Sequence, residues 1–264
     1  MSVNTILDIQ GLSKTYQQKT LNEHQVLKEL SFQVNKGDFI TVIGGNGSGK
    51  SSLLNAIAGS SIPDKGKILL SGKDITRLKE EQRADQIGRV FQDPLMGTAP
   101  RMTVAENLAI AFRRGKKRRF RRGITANEKE LYMDLLAKLG LGLERRLDSE
   151  MGLLSGGQRQ AITLLMATMK KPAILLLDEH TAALDPKTAQ TILSLTSQRI
   201  KEEKLTALMI THNMQDALTY GNRLLMLDSG KIVMDLSQEE KESLTAESLI
   251  LLFQQHSLGF DLSS

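Results

Sequence analysis

The stretch Phe39-Ile-Thr-Val-Ile-Gly44-Gly-Asn-Gly-Ser-Gly-Lys-Ser51-Ser-Leu-Leu54 decides how this chain is read. Phe39–Ile43 has the composition of a short strand buried on both faces, and Lys36-Gly37-Asp38 supplies the turn before it. The strand runs straight into Gly44–Ser51, which fits G-x-x-x-x-G-K-[ST] at every fixed position. Ser51 to Ala58 continues as a helix, with Gly59 placed to cap its C-terminus. Such a loop curls so that several N–H groups point at phosphate oxygens, and the helix N-terminus adds its partial positive charge. Lys50 is expected to reach the β- and γ-phosphates of a nucleoside triphosphate, and Ser51 to ligate Mg²⁺ through its hydroxyl. A flexible glycine turn with a surface lysine has the same composition but lacks the strand–loop–helix context. Many unrelated nucleotide hydrolases share the loop, so by itself it implies triphosphate binding and nothing narrower.

Two further motifs narrow the reading. Ile174-Leu-Leu-Leu-Asp178-Glu179 is a buried strand that delivers two carboxylates at its C-terminal end, where α/β sheets bind ligands. Asp178 is expected to hold Mg²⁺ directly or through water, and Glu179 to act as the general base that polarises the attacking water. A solvated acidic turn is the plainer alternative for the pair. In Leu154-Ser-Gly-Gly-Gln158, Ser155 and Gln158 have capping-box spacing, so a helix starts there. Gly156 and Gly157 strip that helix start of side chains and leave its N–H groups free to meet an anion.

Glycine loop, acidic strand and LSGGQ together resemble the ATP-binding subunit of an ABC transporter, over nearly the whole chain from Tyr16 to His212. The resemblance implies an α/β fold: a P-loop NTPase core with a mainly parallel sheet, an N-terminal antiparallel β portion and a helical subdomain at roughly 93–167 within a single domain. It implies that ATP is held by Gly44, Gly45, Asn46, Gly47, Ser48, Gly49, Lys50, Ser51 and Ser52. It also implies that Ser155, Gly156, Gly157 and Gln158 close over the γ-phosphate bound by a second copy, giving a head-to-tail dimer with two composite sites. Gln92, in VFQDP, matches the glutamine that senses Mg²⁺ and water. Asp185, in AALDP, matches the segment that crosses the dimer interface, and His212, in ITHN, the histidine that contacts the γ-phosphate. Tyr16, in SKTY, matches the aromatic that stacks on adenine, although a tyrosine there could equally belong to the core.

Departures from the family pattern are few. Ser52 replaces the usual threonine and keeps a hydroxyl. His180 stands where most members have proline, which leaves the turn looser and adds a titratable group near the γ-phosphate; it is expected to be structural, with catalysis left to Glu179. The DEHTAALDP variant and a basic segment resemble a bacterial subgroup paired with binding-protein-dependent permeases, some linked to aromatic amino acids. The implied partners are a second copy, integral-membrane permease subunits and an extracytoplasmic binding protein, and the implied place is the cytoplasmic face of the membrane. The rival readings are a soluble ABC ATPase acting as an assembly scaffold and an ATP sensor without turnover.

The remaining pattern fits this frame. Leu7–Ile9, Leu30–Val34 and Lys67–Leu70 read as strands; Thr188–Lys201 and Met214–Tyr220 as helices; Arg223–Asp235 as a hairpin turning on Asp228-Ser-Gly-Lys231; and Thr245–Phe253 as an amphipathic helix. Absence of cysteine excludes disulfides and thiolate metal sites. The longest apolar runs fall far below the ~18–20 residues of a membrane-spanning helix, so any transport path is expected from another polypeptide. Arg113–Arg122 holds eight cations and no acid, and without it the net charge of +5 would be −3. A solvated loop or contact with anionic lipid headgroups would account for it; nucleic acid is not expected, given one aromatic and no nucleic-acid module.

Overall fold

In a computed structural model, residues 4–20, 23–115 and 123–257 are described. They form two compact units, one made of the chain up to Arg83 and from Lys204 onward, the other of 84–203.

The first unit opens with β1 (Thr5–Tyr16) and β2 (His24–Asn35), followed by β3 (Phe39–Gly44), α1 (Lys50–Ala58), β4 (Lys65–Leu70), β5 (Lys73–Asp74) and α2 (Glu80–Arg83). Strands β2-β1-β4-β5 make an antiparallel sheet. The short strands expected at Leu7–Ile9 and Leu30–Val34 are parts of 12-residue strands. Register shifts between Ile9 and Leu12 and again before Thr15 break the alternation, so a period of two picks out only fragments. Helix α1 ends as expected: Gly59 sits at φ 90° and donates its N–H to Asn55 O at 3.0 Å.

Arg83 pins that same helix end. It is 2% exposed and donates to four carbonyls, those of Ala56 and Ile57 in the last turn of α1 and those of Thr76 and Leu78. Burial lowers its pKa, yet its positive charge complements the negative end of the α1 dipole.

The second unit contains β6 (Ile87–Val90), α3 (Val104–Phe112), α4 (Ala126–Ala137), α5 (Gly156–Thr168), β7 (Ile174–Asp178) and α6 (Pro186–Glu203). Strands β6 and β7 pair in parallel. The sequence reading omits β6, because four residues containing Gly88 and Arg89 carry too little pattern. Three helices begin with reciprocal capping boxes, Thr103 with Glu106, Thr125 with Glu128 and Ser155 with Gln158. Their shared core includes Leu108, Tyr132, Leu136 and Leu165. At the start of the basic segment, Arg113 pairs with Glu128 at 2.9 Å and Arg114 donates to Ala167 O. These two cations make contacts within the fold, with the Arg113 side chain still 40% exposed; Lys116–Arg122 lie outside the described residues.

The chain then returns to the first unit with β8 (Ala207–Ile210), α7 (Met214–Thr219), β9 (Arg223–Asp228), β10 (Lys231–Ser237), α8 (Gln238–Glu242) and α9 (Ala246–Ser257). Here β3 lies between β8 and β9 and runs parallel to both, while β10 is antiparallel to β9. The expected hairpin and amphipathic C-terminal helix are both present, with Leu249 of α9 fully buried beside Ile43, Leu224 and Met226.

Candidate active site

In the first unit, β3 delivers the glycine loop onto α1. Gly49 occupies the N-cap position at φ 105°, and a Cβ there would lie 2.6 Å from Val26 O. A glycine cap has no side chain to offer, and no acid stands in the first turn. The N–H groups of that turn and the positive end of the helix dipole therefore remain available to an anion. Lys50 is 7% exposed and folds back so that Nζ donates to Gly44 O at 2.8 Å and Gly45 O at 2.9 Å. Neutral carbonyls hold an ammonium more weakly than anionic oxygens do. Asn46, Gly47 and Ser51 are exposed, Ser52 is half-buried, and Ser48 is buried with no hydrogen-bond partner for its Oγ among the described residues.

Tyr16 ends β1 with its ring 39% exposed, its hydroxyl 3.5 Å from Ser61 Oγ and the Lys14 ammonium 5.5 Å from the ring centre. It is not a core residue, and an exposed ring at a strand end suits stacking. His212 is exposed directly after β8. The backbone there is fixed by Thr211, whose Oγ1 accepts the Asn213 N–H, and by Asn213, whose Oδ1 caps α7 at Asp216. Burial raises the pKa of Asp216, and the neighbouring His212 works against that shift.

In the second unit, the four apolar residues of β7 are buried and Asp178 follows, half-buried. Arg89 of β6 reaches its Oδ2 at 3.2 Å. Glu179 sits at φ 44°, in the left-handed region that costs a non-glycine residue on the order of 1 kcal/mol. His180 is structural, as expected, but it does not loosen the turn. It is 2% exposed, its Nε2 lies 3.0 Å from Thr196 Oγ1 of α6, and burial pushes its pKa down to about 4. The ring is therefore neutral near pH 7 and anchors the turn instead of loosening it.

The signature segment is built on the same unit. Ser155 Oγ accepts the Gln158 N–H and Gln158 Oε1 accepts the Ser155 N–H, the expected capping box. Gly157 has a further reason to be glycine: a Cβ there would lie 2.2 Å from the Thr188 methyl of α6. Gly156 is exposed. Asp185 accepts the Thr188 N–H at 3.1 Å just ahead of α6, and hydrogen bonding from the Thr188 side chain and N–H lowers its pKa. Gln92 is exposed, and the carbonyl of Phe91 before it accepts a hydrogen bond from the fully buried Gln160 of α5.

Among the described residues no three His, Cys, Asp or Glu side chains converge on a metal-sized site. The donors singled out for Mg²⁺ are the Ser51 hydroxyl, the Asp178 carboxylate and the Gln92 amide oxygen. An all-oxygen set with one carboxylate fits a hard cation that keeps waters and binds with phosphate.

Residues 27–182 match the ABC transporter family. The chain belongs to that family. Across 249 residues it is 42% identical to a tyrosine transport ATP-binding protein of Clostridioides difficile, covering 94% of this chain and 99% of that one. A methionine import ATP-binding protein of Streptococcus thermophilus is 34% identical over 92% of this chain and 69% of its own length. The fold matches a dimeric ATP-binding cassette in a post-hydrolysis state with ADP and phosphate, with a TM-score of 0.75 at 26% identity, covering 88% of this chain and 99% of that one.

This ABC cassette thus has the expected fold: an antiparallel β portion, parallel strands around the glycine loop, and helices. Within the first unit the structure brings together Lys50 and the loop from Gly44 to Gly49. Within the second it joins the signature helix to the segment before Gln92, and Asp178 to Arg89. Arg89 and Gln160 are the residues that sequence reasoning missed. A lone arginine in a four-residue strand and a glutamine beyond LSGGQ carry no spacing signal. Among the described residues no helix is long and apolar enough to cross a membrane.

Proposed function

We propose that the chain is the ATP-hydrolysing subunit of an import system, working on a separate integral-membrane permease for a small solute of the amino-acid class. The observation that carries this reading is the open start of α1, with Lys50 Nζ donating to the Gly44 and Gly45 carbonyls beside it, a cradle suited to triphosphate. Support for the transported class comes from the full-length likeness to a tyrosine transport protein. Exposed apolar side chains directly after Gln92, Leu95 at 42% and Met96 at 70%, offer a surface for a membrane partner.

In this reading Lys50 leaves the Gly44 and Gly45 carbonyls for the β- and γ-phosphates, and Tyr16 stacks on adenine. Ser51, Gln92 and Asp178 are the residues that would supply oxygen donors to Mg²⁺, which would neutralise charge on the phosphates. Glu179 takes a proton from the attacking water, and His212 contacts the γ-phosphate. Catalysis is chiefly positioning and electrostatics. Ser155–Gln158 serve the nucleotide of a second copy, and Asp185 lies at that interface. An extracytoplasmic binding protein would deliver the solute, placing this subunit on the cytoplasmic face.

The direct test is Glu179→Gln: ATP-dependent dimers should accumulate while steady-state hydrolysis falls by at least ~100-fold. Unchanged hydrolysis would remove Glu179 as the base. Ser155→Arg should abolish both dimers and turnover, and normal turnover in that variant would end the composite-site reading. Purification of the native complex should recover an integral-membrane partner; its absence would favour a scaffold role.

A further inference from the structure

We propose that Arg89 is a positioning residue that serves as the resident counter-cation of Asp178, and that Mg²⁺ must displace it when nucleotide binds. The inference rests on Asp178 being the metal-binding aspartate proposed above. Arg89 lies on β6 opposite Leu176 of β7, and its Nη2 reaches Asp178 Oδ2 at 3.2 Å. The two side chains are only 11% and 14% exposed, so water and salt screen their attraction less than in a surface pair.

The guanidinium is also held from a second side. It lies over the Phe91 ring, 4.5 Å from its centre, and the Phe91 carbonyl is bonded at 3.1 Å by Gln160, which has no solvent exposure. The arginine is thus fixed between the carboxylate and an aromatic face, a pairing that suits a planar delocalised cation.

A carboxylate already paired with a guanidinium presents no net charge to an arriving cation. Free Mg²⁺ gains little there and must in addition approach another positive group. Triphosphate supplies the missing negative charge, so the geometry favours metal that arrives with nucleotide over metal alone. The same pair keeps Asp178 from standing as an uncompensated, mostly buried charge when no nucleotide is bound.

The test uses the full chain, a fluorescent ATP analogue that is not hydrolysed, and a Mg²⁺ titration at fixed analogue concentration. In Arg89→Gln the Mg²⁺ concentration at half-effect should fall roughly fivefold or more, while Arg89→Lys, which keeps the charge but not the planar fork, should fall by less. Analogue affinity without metal should be the same in all three. Without metal Arg89→Gln should melt lower than wild type, and Mg²⁺ with analogue should narrow the gap. In the wild-type protein, where folding is not in question, the Arg89 Nε resonance should move when Mg²⁺ is added to the analogue complex. An Arg89→Gln midpoint that is unchanged or higher, or a stationary Arg89 resonance, overturns the proposal while metal-free analogue binding leaves the ATP-binding reading intact. Failure of the wild-type protein to bind the analogue with or without Mg²⁺ overturns both.

Discussion

Two glycine motifs start two helices in this molecule, and they leave the helix ends in opposite states. At α1 the cap is Gly49, no side chain bonds the first turn and no acid stands there. At α5 the cap is Ser155, and the serine and Gln158 satisfy each other's backbone N–H groups. An end without a cap depends on an external anion to complete it. An end with a closed capping box has the Ser155 and Gln158 N–H groups satisfied from within, and those of Gly156 and Gly157 remain to be offered outward. In the proposed reading the first motif binds phosphate, and the second orients against phosphate already bound.

The largest effect should come from closing the open end. Lys50→Ala removes the cation now parked on Gly44 O and Gly45 O. Nucleotide affinity should fall by at least ~100-fold, because a desolvated charge-assisted contact is lost, with little change in denaturant stability. A binding titration checks this; near wild-type affinity would mean that α1 alone carries the site. Gly157→Ala attacks the other end by a different route, forcing a methyl into Thr188 of α6. It should destabilise the fold by about 1–3 kcal/mol, the range for overpacking. Thr188→Ser, which deletes the offending methyl, should recover most of the loss in a double-mutant cycle. Failure of that rescue would return Gly157 to a purely anion-facing role.

A pH experiment separates the two ends again, since α6 beneath the signature glycines is held from within by His180. The His180 pKa lies at about 4 in the folded chain against an ordinary 6.5. Between those values the unfolded chain binds the extra proton, so this contribution to stability is complete above pH 6.5 and is lost as pH falls toward 4. Its full size is on the order of 3 kcal/mol. His180→Gln should flatten the acid limb of a denaturation-versus-pH curve relative to wild type, and identical slopes would mean that the ring is not buried as a neutral base.

What was legible in the sequence was local. Strand, glycine loop and helix follow one another within Phe39–Ala58, and the Ser155–Gln158 box closes over four residues, so short-range spacing reveals both. What was hidden needed a neighbour from elsewhere in the chain. Gly157 is glycine because of Thr188, Asp178 is paired because of Arg89, and His180 is neutral because α6 covers it. The departure from proline at 180 and its structural role were visible, but not its effect on the turn: the expected loosening is an anchor onto Thr196. Likewise β1 was seen only in part, because its bulges interrupt the alternation by which strands are recognised.

The smallest effect tests the comparison most sharply. Ser155→Ala deletes the Oγ that accepts the Gln158 N–H, and an N-cap loss costs about 1 kcal/mol in denaturant stability. If α5 is capped from within and α1 is the phosphate receiver, a single copy of Ser155→Ala should bind nucleotide with unchanged affinity, because its own glycine loop is untouched. Steady-state hydrolysis at concentrations that support dimers should nevertheless fall, since the frayed end no longer presents its N–H groups in a fixed direction. The two measurements must therefore separate. Loss of nucleotide affinity by isolated copies in step with the loss of turnover would mean that the signature helix serves the nucleotide of its own chain, and the distinction between the two helix ends would fall.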